Sequence, residues 1–226
     1  MADRVLVVAA HPDDETYGAG GTIARHSAQG DEVSVLFLTD GVGARHGVRE
    51  PQLEAARQAC RALGVKDVRF ADLPDQLLDG MPLIEVIDPI TQAVREIAPR
   101  IVYTHHEGDV NQDHRRVFEA ALVAVRPVGN NPVEEVLSFE VASSTEWAPT
   151  GNTRWAFMPN VFVDIEPHVE AKRQAIDAYR ATHENEVKPF PHPRSQEAVE
   201  AYDTARGVSV GLRYAEAFVG IRRLVR

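Results

Sequence analysis

Two kinds of apolar pattern alternate along the chain. Val5–Ala10 (VLVVAA) and Val33–Thr39 (VSVLFLT) are nearly unbroken apolar runs of strand length, as expected of strands buried on both faces. A helical pattern follows each. Thr22–Gln29 follows the first, with Gly30 as its stop; Pro51–Leu63 follows the second, with Pro51 suited to the first turn and Gly64 just past the end. The alternation continues through a strand at Val68–Ala71, a helix at Leu83–Ile97, a strand at Ile101–Thr104 and a helix capped by Asn111 that carries His114 to Val125. The pattern then loosens. Strands are expected at Val133–Ala142 and Ala156–Ile165, and helices at Pro167–Ala181, at Gln196–Arg206 and from Tyr214 toward Leu224. The prolines of HENEVKPFPHPRS forbid regular structure and mark a long ordered loop or lid.

Strand and helix alternating at this spacing predict an α/β fold. The expectation is a single Rossmann-like domain over residues 1–226, with a mainly parallel sheet, helices on both faces and irregular C-terminal additions. In the strand order 3-2-1-4 the first and fourth strands are neighbours, and their carboxyl ends flank the crevice where such folds bind ligands. The loop after the first strand is His11-Pro12-Asp13-Asp14-Glu15. The loop after the fourth runs from His105 to His114.

Composition narrows the classes. The formal net charge of -10 argues against sequence-independent binding to nucleic acid or to an anionic membrane surface. No apolar run approaches the roughly 18 residues of a spanning helix, and the first residues carry no signal-peptide pattern, so a cytoplasmic protein is expected. Cys60 is the only cysteine, which leaves no internal disulfide and no thiolate metal cluster.

The chemistry concentrates in the two loops. Acids are favoured in the first turn of a helix, but that accounts for one or two of the three in Asp13-Asp14-Glu15, and adjacent carboxylates repel unless a cation is near. The second loop, HHEGDVNQDH, adds His105, His106, Asp109, Asp113 and His114. The expected topology brings His114 to the crevice that holds His11 and Asp14. Two histidines and a carboxylate leave coordination positions open, as in catalytic Zn2+ sites and some Fe2+ sites.

AHPDDE after a first strand, a downstream TDG and then NQDH resemble the PIG-L/LmbE-type family of zinc-dependent N-deacetylases, and RATHENE, HPRS and YAEAF extend the resemblance over nearly the whole chain. It implies that His11, Asp14 and His114 ligate zinc, with ferrous iron as the alternative ion, and that Asp13 is the general base. An acetamido-sugar conjugate is the implied small-molecule substrate, and homo-oligomers are common among such proteins. Glu15 is expected to support the helix entrance, and Asp113 to orient a histidine through its second ring nitrogen. Some relatives carry a tyrosine and a histidine where this chain has Asp109 and Asn111. Asn111 is then a hydrogen-bonding substrate contact rather than an acid, and His192 of HPRS becomes the candidate for a second protonating group. The resemblance favours Arg49 as a substrate contact. Arg194 in the proline-rich loop has the same capacity for paired hydrogen bonds, whereas Arg45 is assigned to solvent. Specificity is expected from Arg45–Glu50, from Trp147–Trp155, whose tryptophans suit a sugar ring or a hydrophobic lip, and from Glu184–Ser195.

Two other functions stay open on the residues alone. A metal-dependent esterase or amidase would use the same activated water on a non-sugar substrate. A non-catalytic nucleotide-binding module is suggested by GAGG, but Gly18, Gly20 and Gly21 do not keep the GxGxxG spacing.

Overall fold

The computed structural model of the chain describes residues 2–45, 47–149, 151–153, 155–181 and 186–225. The strands β1 (Arg4–Ala9), β2 (Glu32–Thr39), β3 (Asp67–Leu73), β4 (Ile101–His105), β5 (Glu135–Phe139), β6 (Val161–Asp164) and β7 (Ala215–Arg223) form one sheet of order β3-β2-β1-β4-β5-β7-β6. The first five run parallel, and β7 lies antiparallel to both β5 and β6. The expected order 3-2-1-4 is therefore present, with β1 and β4 side by side.

The unbroken apolar run of β1 has a direct cause. Val5, Val7 and Ala9 pack into one core with the helices α1 (Asp14–Ala28), α2 (Arg49–Ala62) and α5 (Val169–Ala178). Leu6, Val8 and Ala10 pack into the opposite core with α3 (Leu83–Ile97) and α4 (Gln112–Ala124). Successive side chains of a strand alternate between faces, so a strand covered on both sides has no polar positions to spare. Both its edges are also paired, to β2 and to β4, and the residues that follow β1 are delivered into the protein rather than onto its surface.

Four elements differ from expectation. Tyr214–Leu224, expected as a helix, contains β7, because Ala215–Phe218 pair with β6 and Phe218–Arg223 with β5, and the sheet overrides the helical preference of Ala and Glu. Glu216 there accepts hydrogen bonds from Gly21 N and Thr22 N and pairs with buried Lys172, tying β7 to α1 and α5. The first helix starts at Asp14, not at Thr22, so GAGG lies within α1 instead of in a loop. The expected strands at Val133–Ala142 and Ala156–Ile165 shorten to β5 and β6. The remaining helix, α6, spans Gln196–Val208, and none of the helices described is long and apolar enough to cross a membrane.

The glycines of α1 allow close approach rather than phosphate binding. A Cβ on Gly18 would overlap the Phe139 ring, and one on Gly21 would lie 2.8 Å from Ile165. In an ordinary helix interior Gly→Ala stabilises by about 0.8–1.0 kcal/mol. Here Gly18→Ala is expected to destabilise by about 1–3 kcal/mol in urea unfolding, because overpacking outweighs propensity. An unchanged or raised midpoint would contradict this packing account.

Candidate active site

After β1 the chain turns sharply at His11-Pro12 and enters α1 through Asp13, whose backbone has φ 118°, a left-handed region that costs a non-glycine residue about 1–3 kcal/mol. Neighbours hold it there. Asp13 N donates to Glu15 Oε2 (3.0 Å), while Glu15 Oε1 accepts from Tyr179 Oη (2.8 Å) and Thr16 Oγ1 (2.6 Å). Glu15 thus braces the helix entrance, and burial pushes its carboxyl up to about 7.

The structure brings His11, Asp14 and His114 together, all buried. His11 Nδ1 and His114 Nε2 lie 3.2 Å apart. Asp14 Oδ2 is 3.1 Å from the first nitrogen, and Asp14 Oδ1 is 3.4 Å from the second. Ligands about 2.0–2.1 Å from a tetrahedral ion stand roughly 3.3 Å apart, so these spacings fit one cation. Asp14 Oδ1 is buried and satisfies no hydrogen-bond geometry, an arrangement a cation would resolve.

The outward ring nitrogens face carboxylates. His114 Nδ1 faces Asp109 Oδ2 at 3.1 Å, which leaves its Nε2 lone pair toward the cluster. His11 Nε2 faces Asp113 Oδ2 at 3.2 Å, Asp75 Oδ1 at 3.4 Å and the Gln76 side-chain amide at 3.1 Å, while Nδ1 faces inward. Asp113 therefore sits against His11, and Asp109, one turn earlier in the same loop, sits against His114. A second possible donor set, His11, Asp75 and Asp113, is weaker as a metal site. Both oxygens of Asp113 already accept from backbone amides, Oδ2 from Gln76 N and Oδ1 from Leu78 N, whereas Asp14 accepts one, from His11 N, and keeps Oδ1 for the cluster. Stacked against His114 is His105, with ring centroids 4.0 Å apart, but its Nε2 accepts from Ala10 N and is not free to ligate. Burial holds His105 below the usual histidine range.

On the other flank, Asp13 Oδ2 accepts from Arg194 Nη1 at 2.7 Å, and the same nitrogen bonds Glu186 Oε2 at 2.5 Å. Burial, with Glu186 and Asp14 adding to it, raises Asp13 well above the usual carboxylate range despite Arg194. Arg194, expected as a substrate contact, is thus engaged with two protein carboxylates, so its charge is already compensated. The other expected contacts are placed as follows. Asn111 caps α4 by accepting from Asp113 N at 2.9 Å, which commits its oxygen to the helix. Arg49 starts α2, pairs with Asp72 and lines an open cleft of about 400 Å3 with Asp40 and Asp75. Because Asp75 also touches His11, that cleft adjoins the candidate metal site. His192 Nδ1 accepts from Arg194 N at 3.1 Å, and its ring stands edge-on to exposed Trp147. Burial, then Arg194 and Lys188, lower its pKa, so the neutral ring carries its proton on Nε2. Trp155 lies under the Arg115 guanidinium. The side chain of Arg45 and residues 182–185, within RATHENE and the last expected specificity loop, fall outside the described residues.

Asp75 and the Ser143–Thr145 turn carry no local signal of a site and are supplied by tertiary structure, whereas Glu186 falls within the expected loop Glu184–Ser195 without being singled out there. Asp109 was visible in HHEGDVNQDH, but spacing alone does not say which of two acids faces His114.

Comparison with known proteins now decides the family. The family description "PIG-L: GlcNAc-PI de-N-acetylase" matches residues 6–125, more than half of the chain. The chain belongs to the PIG-L family. A relative from Bacillus cereus, described as a probable N-acetyl-alpha-D-glucosaminyl L-malate deacetylase 2, is 32% identical over 80% of this chain and 84% of its own length. The conserved protein TT1542 of Thermus thermophilus superposes with a TM-score of 0.79 at 29% identity, covering 100% of this chain and 97% of that one. The fold is also that of the 4-carboxy-2-hydroxymuconate hydratase GalB from Pseudomonas putida KT2440 (TM-score 0.76, 23% identity, 99% and 98% coverage). The PIG-L membership and its deacetylase relatives make this chain a hydrolytic N-deacetylase.

The histidine pair yields a pH prediction. Burial opposes charge on both rings, but Asp14 and its neighbours outweigh it and hold His11 up at about 10 and His114 at about 9. Both rings therefore hold a proton more tightly than a free histidine, and a cation must compete with protons for them. Calorimetry at pH 7 in buffers of different ionisation enthalpy is expected to show about two protons released per cation bound. Apparent affinity is expected to rise with pH up to about 10, where the second ring has lost its proton. Binding without proton release, at a pH-independent affinity, would contradict the ligand assignment.

Proposed function

We propose that the chain hydrolyses the N-acetyl group of a small acetamido-sugar conjugate, using a divalent cation, zinc before ferrous iron, held by His11, Asp14 and His114. The observation that carries this reading is the convergence of two inward imidazole nitrogens and one carboxylate within 3.4 Å of one another, next to buried Asp13. A cation bound there supplies a Lewis acid for the acetamide carbonyl and lowers the pKa of a bound water toward about 7.

The chain's own residues handle the protons. Asp13 takes a proton from the attacking water as the new C–O bond forms. It returns that proton to the nitrogen as the C–N bond breaks, releasing acetate and a free amine. The high proton affinity that burial gives Asp13 suits the return step. Neutral His192, whose Nδ1 accepts from Arg194 N and whose proton is therefore on Nε2, is the second donor in this reading and hydrogen-bonds the departing group. Arg49 and the cleft it lines with Asp40 and Asp75 receive the sugar hydroxyls. The reading includes a cytoplasmic location, in keeping with the buried free thiol of Cys60.

Acetate release from a panel of N-acetylglucosaminyl conjugates, with simple aryl esters as controls, tests the proposal. The zinc-loaded protein is expected to act on at least one conjugate and to prefer it to the esters. Asp13→Asn is expected to lower kcat by about 10²–10⁴-fold with metal content unchanged. Undiminished activity in that variant, or no acetate from any conjugate, would overturn the reading.

A further inference from the structure

We propose that Arg194 is a positioning residue for Asp13, gripping one carboxylate oxygen so that the other is presented to the reacting water and then to the departing amine. The inference rests on the reading of Asp13 as the base. Its grounds are the contacts of the guanidinium itself. Nη1 lies 2.7 Å from Asp13 Oδ2 and 2.5 Å from Glu186 Oε2, and Nε donates to Ser143 Oγ at 2.8 Å. The guanidinium also lies over the Tyr17 ring, 5.4 Å from its centroid, and Tyr17 Oη donates to the backbone oxygens of Glu186 and Arg194. Its side chain is only 16% exposed. A fork fixed by three acceptors and an aromatic face defines the direction of whatever it holds.

Charge separates this role from substrate binding. One guanidinium sits between two buried carboxylates, so the group carries no surplus positive charge for a substrate anion. No described residue hydrogen-bonds Asp13 Oδ1, which leaves that oxygen for chemistry.

The clamp is continuous with the candidate metal site. Ser143, which holds Arg194, belongs to a turn closed by Glu146, whose carboxylate accepts from Ser143 N and Ser144 N. In that turn Ser144 Oγ and Thr145 Oγ1 donate to Asp109, and Asp109 faces His114 Nδ1. One short segment therefore sets the orientation of a metal ligand on one side and of the base on the other. Misplacing a reacting group by about 1 Å can cost on the order of 10²-fold in rate, which sets the scale of the effect.

Kinetics of zinc-loaded Arg194→Ala and Arg194→Lys test the proposal. The alanine variant is expected to lose kcat on the order of 10²-fold while KM stays within about threefold. Zinc content should not change, and added methylguanidinium should restore part of the rate. Arg194→Lys should fall between the two, and Arg194→Ala should cost nothing more once Asp13 is asparagine. A rise in KM with kcat intact would overturn the proposal in favour of a substrate contact. Urea unfolding supplies an arm independent of turnover. The loss of stability on Arg194→Ala should be at least about tenfold smaller in the unfolding constant when Asp13 is already asparagine. Equal losses in both backgrounds would overturn the clamp. If the alanine variant does not fold, Arg194→Lys, which keeps a charge between the carboxylates, carries both arms. Should wild-type protein release no acetate at all, the function proposed above fails and the unfolding arm alone decides the clamp.

Discussion

A carboxylate removed from water must meet a positive charge, a set of hydrogen-bond donors or a proton, and this constraint organises the whole C-terminal edge of the sheet. Because β1 is central and covered on both faces, the turn that follows it buries Asp13, Asp14 and Glu15 almost completely. Each is compensated differently. Asp13 has the Arg194 guanidinium, Asp14 has two imidazoles with room for a cation between them, and Glu15 has the Tyr179 and Thr16 hydroxyls and a backbone amide. Three adjacent residues of one chemical type acquire three roles from their surroundings.

The same constraint explains the distribution of supporting residues. Both candidate metal-binding histidines have a carboxylate behind them, Asp109 behind His114 and Asp113 behind His11, and both carboxylates are in turn held by donors. A ring so held keeps one tautomer and one orientation, which is what a metal site requires of it. PIG-L membership makes deacetylation the chemistry of the chain, whereas a hydratase with the same fold shows that architecture alone would not have done so.

Much of this was legible in the residues. The apolar runs of β1 and β4, with helices between, were enough to place the His11–Glu15 and His105–His114 loops at one crevice. Where the sequence misled, a tertiary contact outweighed a local preference. GAGG resembles a loop, yet it continues α1 because Gly18 and Gly21 let the helix settle onto Phe139 and Ile165. Ala215–Phe218 has helical composition but pairs with β6 as the first part of β7, whose later residues pair with β5. For Arg194 the sequence shows only a capacity for paired hydrogen bonds, and nothing local reveals Asp13, some 180 residues earlier, as a partner. Asp75 was illegible for the same reason: its partners His11 and Ala44 are distant in the chain.

The central claim is that one cation, held by His11, Asp14 and His114, makes the site competent. Its most direct measurement is titration of chelator-stripped protein with zinc while acetate release is followed. Activity should rise from near zero in proportion to added metal and break at one equivalent, and His114→Ala should show no break. Full activity in the stripped protein, or a break that survives His114→Ala unchanged, would contradict the account.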